Sequence, residues 1–189
     1  MRLALLLALC LLPARYACAV DSVAFGFVTS GGTVHFWVPT DWVVLTVDSK
    51  DGVYMAVYQV LNPADDGTPD STNIAVAFYD LNQHHGQEAS QLIGKRYGAD
   101  PVVQSNDGEW VIYAQHTHRG DIQYVVIDAK KTVADVLASV RCAWPQLTKN
   151  PAGYDDQMQS ICTSLWRSVE GKLGPPDLPP GAKIYRKVK

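Results

Sequence analysis

The chain has 189 residues, 47% of them hydrophobic and 19% charged, with a formal net charge of −3. That length supports a single domain with a full core, and that composition excludes a disordered or collagen-like chain. The 16 Lys and Arg against 19 Asp and Glu argue against nucleic acid as the main partner.

Residues 1–19, MRLALLLALCLLPARYACA, read as a secretory signal. Arg2 supplies the positive start, Leu3 to Leu12 the apolar run, Pro13 the break, and Ala17-Cys18-Ala19 the small-x-small cleavage pattern. The apolar run is shorter than the roughly 20 residues a bilayer span needs. Neither Cys10 nor Cys18 follows the Leu-plus-small-residue box of a lipid-modified cysteine, so no stable membrane anchor is expected. The mature chain is expected to begin at Val20, in the periplasm or outside the cell. Its folded domain is expected over 20–171.

Strand patterns dominate the first half. Val23 to Thr29 and Thr33 to Val38 flank the turn Ser30-Gly31-Gly32, and Val43 to Val47 follows Pro39-Thr40-Asp41-Trp42. The turn Asp48 to Gly52 leads into the strongly β run Val53 to Leu61, then a polar loop to Ser71 and a strand over Asn73 to Asp80. Ala89, Leu92, Ile93 and Tyr97 recur at helical spacing and predict a helix from Gly86 to Tyr97, with Gly98 to end it. Val102 to Gln104, Glu109 to His118 and Ile122 to Ala129 read as further strands, the last two joined by a tight turn at Arg119-Gly120-Asp121. Val133 to Trp144 reads as the closing strand, with helix an alternative over Ala134 to Val140. Tyr154 to Val169 reads as a closing helix with Met158, Ile161, Cys162, Leu165 and Val169 on one face. Gly174-Pro-Pro-Asp-Leu-Pro-Pro-Gly181 cannot continue a helix or strand, so 172–189 is expected to be a Pro-rich linker and a basic tail.

Cleavage after Ala19 leaves Cys142 and Cys162 as the one pair in an oxidising compartment, so a disulfide between them is expected. It would join the last strand to the apolar face of the last helix. A thiol nucleophile or a metal pair is the alternative reading of these two residues.

Other chemistry is sparse. There is no G-x-S-x-G, H-E-x-x-H, Gly-rich phosphate loop or C-x-x-C. His116 and His118, two apart on a strand, point to one face and with His84 and His85 form a candidate zinc set. No carboxylate or cysteine completes it, so solvent-facing histidines are expected. Asp65, Asp66 and Asp70 lack the spacing of a calcium loop and read as a solvated turn. The tripeptide Arg119-Gly120-Asp121 is explained by its turn. Trp37 and Trp42 bracket Pro39 and are candidates for an exposed groove, although core packing is the expected role of both. No cofactor is expected.

Val34-His-Phe-Trp-Val-Pro-Thr-Asp-Trp42 resembles the opening landmark of PsbP-like domains, and Asp70-Ser-Thr-Asn-Ile-Ala-Val76 resembles their next one. The late meander Trp110 to Val140 and Leu165-Trp-Arg-Ser-Val169 on the closing helix complete the likeness over about residues 23–171. The resemblance implies an α+β fold, an antiparallel β-sheet with helices packed on its faces in a PsbP-like α/β/α sandwich. It implies binding or scaffolding and no shared catalytic residues. The expected function is that of a non-enzymatic exported binding protein whose partner is another protein. Its sharpest version is a type VI secretion immunity protein that binds a toxic effector. A carrier or sensor of a small ligand or metal is the alternative, and a hydrolase built on His116 or His118 ranks behind both.

Overall fold

The computed structural model describes residues 21–60, 73–83, 103–146 and 153–185. The strands are β1 (Ser22–Val28), β2 (Gly32–Pro39), β3 (Val43–Lys50), β4 (Val53–Gln59), β5 (Asn73–Asp80), β6 (Val103–Asp107), β7 (Trp110–Arg119), β8 (Ile122–Val133) and β9 (Val136–Pro145). Helix α1 (Tyr154–Arg167) follows, then the short strands β10 (Glu170–Leu173) and β11 (Lys183–Tyr185). A seven-stranded antiparallel sheet runs in the order β3-β4-β5-β9-β8-β7-β6, and a four-stranded sheet in the order β10-β2-β1-β11.

Period-2 alternation explains how the two sheets meet. In β1 and β2 the apolar row Phe25, Phe27, Val34, Phe36 and Val38 faces inward, each residue at most 2% exposed. It packs on Tyr58, Ile74, Val76 and Phe78 of the larger sheet, within one core cluster that also takes Val140, Cys142 and Trp144 of β9. Phe25 lies edge-on to Tyr58 at 5.7 Å, and Phe27 and Phe36 lie 5.7 and 5.9 Å from Phe78. Pairs of this kind contribute roughly 0.5–1.5 kcal/mol each beyond the area they bury. Helix α1 adds Met158, Cys162, Leu165 and Trp166 to the same core.

This architecture corrects the expected α+β sandwich. Among the described residues the fold is mostly β, with one helix and two sheets packed as a β-sandwich. The physical reason lies in the first hairpin. Its aromatic row needs a partner surface, and it finds one face-on against β4 and β5, where a covering helix was expected. The helix predicted over Gly86 to Tyr97 lies outside the described residues, as does the signal segment.

Residues 172–185, read from sequence as linker and tail, continue the smaller sheet. β10 pairs antiparallel with β2, Gly171 opposite Val34, and β11 pairs parallel with β1, Gly26 opposite Ile184. Between them the Pro-rich stretch crosses the outer side of the hairpin. Thr33 donates its hydroxyl to the Asp177 carbonyl at 3.3 Å, and Leu178 lies so close to Gly26 that a Cβ there would sit 2.6 Å from it. Proline excludes a helix in this stretch without excluding an ordered path over a sheet.

Candidate binding cleft

The alternation that turns Phe36 and Val38 inward turns Trp37 outward, and Trp37 is 39% exposed. Its backbone N–H donates to Ser168 Oγ at 3.0 Å, and the Ser168 hydroxyl donates to the Leu165 carbonyl at 2.7 Å. This pair of bonds fixes the end of α1 against the exit of β2. Pro39 then ends β2, Trp42 N–H closes a turn onto its carbonyl at 3.4 Å, and the Trp42 ring settles 5.8 Å from Tyr58.

The result is a cleft of about 500 Å³ between the β2–β3 corner and the helix. Trp37, Pro39, Trp42 and Val60 line one side, and Ile161 and Leu165 with Ser160, Ser164 and Ser168 line the other. The three serines recur every four residues, which places them in one row along the helix. Among the described residues Asp41 is the single ionisable residue of the lining. The expectation of core packing is thus corrected for Trp37, while Trp42 does pack against the core and lines the cleft as well. Trp37 stands on the outward parity of its strand, and Trp42 is half-buried at the edge of the core.

The remaining sequence candidates fall elsewhere. Cys142 on β9 and Cys162 on α1 are joined, with Cα atoms 6.3 Å apart and both residues at most 1% exposed. His116 and His118 are exposed on β7, opposite Val125 and Gln123 of β8. His84 and His85, and Asp65, Asp66 and Asp70, lie outside the described residues. Among the described residues no group of three His, Cys, Asp or Glu side chains gathers where it could hold a metal. Gly120 forms the β7–β8 turn at φ 61°, and the Arg119 guanidinium lies 5.1 Å from the Tyr124 ring centre. That cation–π contact engages the arginine of the tripeptide within the fold.

Three polar sites had no sequence signal. Asp107 on β6 accepts from Trp166 Nε1 at 2.9 Å and from Arg167 Nε and Nη2 at 2.9 and 2.8 Å. The Arg167 bonds, with the Trp166 bond second, hold its carboxyl down at about 2. Asp80, fully buried, accepts from the backbone N–H groups of Ser30 and Asn82 and from Gln83 Nε2. Asp128, Lys130 and Arg141 meet on the other face of the large sheet, with Ser139 donating to Asp128 at 3.0 Å. Asp107 meets a helix about 60 residues away and Asp80 a turn 50 residues away, contacts that spacing along the chain does not encode.

Comparison with known family models gives no match, and comparison with curated proteins gives none.

Proposed function

We propose that this chain is a non-enzymatic exported binding protein whose partner is another protein. Its binding face is the Trp37–Trp42 cleft together with the adjoining start of β3. One observation supports the reading above the rest. Val43, Val44 and Leu45 are 48, 41 and 50% exposed, and they continue directly from the cleft along the outermost strand of the large sheet. Large apolar side chains exposed together along an edge strand are a mark of interaction sites, and tryptophan is enriched at the energetic centre of such sites. The acidic balance of the chain favours steering toward a basic partner.

The sharpest form of the proposal is an immunity protein that blocks a secreted effector. The test co-expresses the exported chain with each toxin-like product encoded beside its gene and scores survival. Protection that disappears in Trp37→Ala and Leu45→Lys, with melting temperatures unchanged, supports the reading. Absence of protection against every such product, or protection that survives both substitutions, refutes it. The cleft itself favours a second reading, a carrier of a small ligand, because its volume lies in the range of roughly 300–1,000 Å³ usual for ligand sites. A screen of neutral, anionic and cationic lipids for a rise in melting temperature tests that reading.

A further inference from the structure

The outer edge of β3 begins one residue after Trp42 of the cleft lining. β3 stands at the end of the large sheet and pairs with β4 alone among the described strands, so no described strand takes up the backbone donors and acceptors of its other edge along Val43–Lys50. The register shift between Val44 and Thr46 leaves Leu45 without a partner opposite it on β4. Trp42, immediately before Val43, lines the cleft, and so does Val60, immediately after the strand end that pairs with Val43. A strand added to this edge therefore runs straight toward the cleft.

The chemistry of the site is one-signed. Among the described residues Asp41 is the single ionisable group in the cleft lining, and Val43 to Val47 carry no charge until Asp48. An anionic group entering here would meet Asp41 with no cation in the lining to offset it. A guanidinium or ammonium would meet a carboxylate and indole rings, the surroundings that favour cations.

We infer that the cleft and the edge of β3 that no described strand covers form one site for an extended segment of the partner protein, added as a strand and ending in a Lys or Arg side chain seated in the cleft. The inference rests on the binding face proposed above and adds the mode and chemistry of the partner. Strand addition supplies main-chain hydrogen bonds, and the cleft supplies the side-chain choice.

The probe is the peptide acetyl-Thr-Val-Thr-Leu-Arg-amide, titrated into the ¹⁵N-labelled mature chain. Its C-terminal arginine lies at the cleft end when it pairs antiparallel with β3. The indole N–H resonances of Trp37 and Trp42 report the cleft. Those of Trp110, Trp144 and Trp166, at most 5% exposed, serve as internal controls. The expected result is a saturable shift of the first two alone, weakened on the order of tenfold in Asp41→Asn, in the version of the peptide ending in Glu, and in the dipeptide acetyl-Leu-Arg-amide. Equal shifts with the Arg and Glu peptides would overturn the charge assignment and leave the binding face standing. Equal affinity for the dipeptide would overturn strand addition. No shift with any peptide would overturn the whole inference. The survival assay with Leu45→Lys then reports separately whether the face itself fails.

Discussion

Replacing Cys142 and Cys162 together by Ala should lower the free energy of unfolding by about 3–4 kcal/mol. The two cysteines are 20 residues apart in sequence, so their bond restricts a loop of that size in the unfolded chain. In the chain-entropy treatment such a loop is worth about 3 kcal/mol. Both side chains are essentially inaccessible, so removing the sulfurs also leaves a small void between β9 and α1, at a cost of about 1 kcal/mol or less. For a chain of this length the loss corresponds to a fall in Tm of roughly 6–16 °C. Urea unfolding of the oxidised protein, the reduced protein and the double variant separates the two contributions. Reduction removes the loop restraint and keeps the sulfurs, whereas the double variant loses both. Intact mass after alkylation without reductant should show no added groups. Two alkylated thiols, or a double variant within 1 kcal/mol of the parent, would refute the account of the bond as a staple between helix and sheet.

Asp80→Ala should cost about 1–3 kcal/mol, because it removes the buried, charged acceptor of the part-buried bonds from the Ser30 and Asn82 N–H groups. Burial raises the Asp80 pKa, but bonds from Ser30, Asn82 and Gln83 outweigh it and leave the carboxyl below its ordinary value. Its stabilisation is therefore complete above the ordinary carboxylate range and lost as pH falls through the lowered folded value. Urea midpoints from pH 6 down to 3 should drop less in Asp80→Ala than in the parent. The Asp107 clamp has the same sign. Its contribution is full above about pH 4 and disappears as pH falls through about 2, so the Trp166 indole resonance should titrate near 2, and a midpoint at 4 would contradict the clamp. Gly32→Ala places a Cβ 2.1 Å from the Lys172 carbonyl oxygen. It should destabilise by about 1–3 kcal/mol and speed amide exchange across Glu170–Leu173, while unchanged exchange there would place β10 elsewhere.

Most strands of the two sheets were legible, because alternation such as Ile74, Val76 and Phe78 announces a half-buried strand before any partner is known. What alternation lacks is the identity of the partner. Phe25, Phe27 and Phe36 are equally at home in a central sheet or in a separate one, and only the three-dimensional packing assigns them to the second. The β8–β9 reversal was placed too early, between Ala129 and Val133, since Ala134 adopts φ 51° at the actual turn where a glycine or asparagine would have marked it. β10 is exposed at all four positions, so it carries no apolar pattern to detect. The disulfide was legible from counting cysteines. The cleft was half legible. Trp37 and Trp42 bracket a proline in the sequence, but the helix wall opposite them lies more than a hundred residues away along the chain.

The smaller sheet has a consequence for the order of events in synthesis. β1 and β2 are the first described strands to leave the ribosome, and both of their neighbours, β10 and β11, are among the last described residues. At roughly 5–20 residues per second, the hairpin waits on the order of ten seconds before either neighbour exists. During that interval both of its edges are open and its aromatic face depends on β4 and β5 alone for cover. The finished sandwich is thus a late, post-synthetic product, and the loop that must close to complete it spans nearly the whole domain. Long-range closure of this kind slows folding, which gives any chaperone or translocation machinery that binds extended chains a broad kinetic window in which to act.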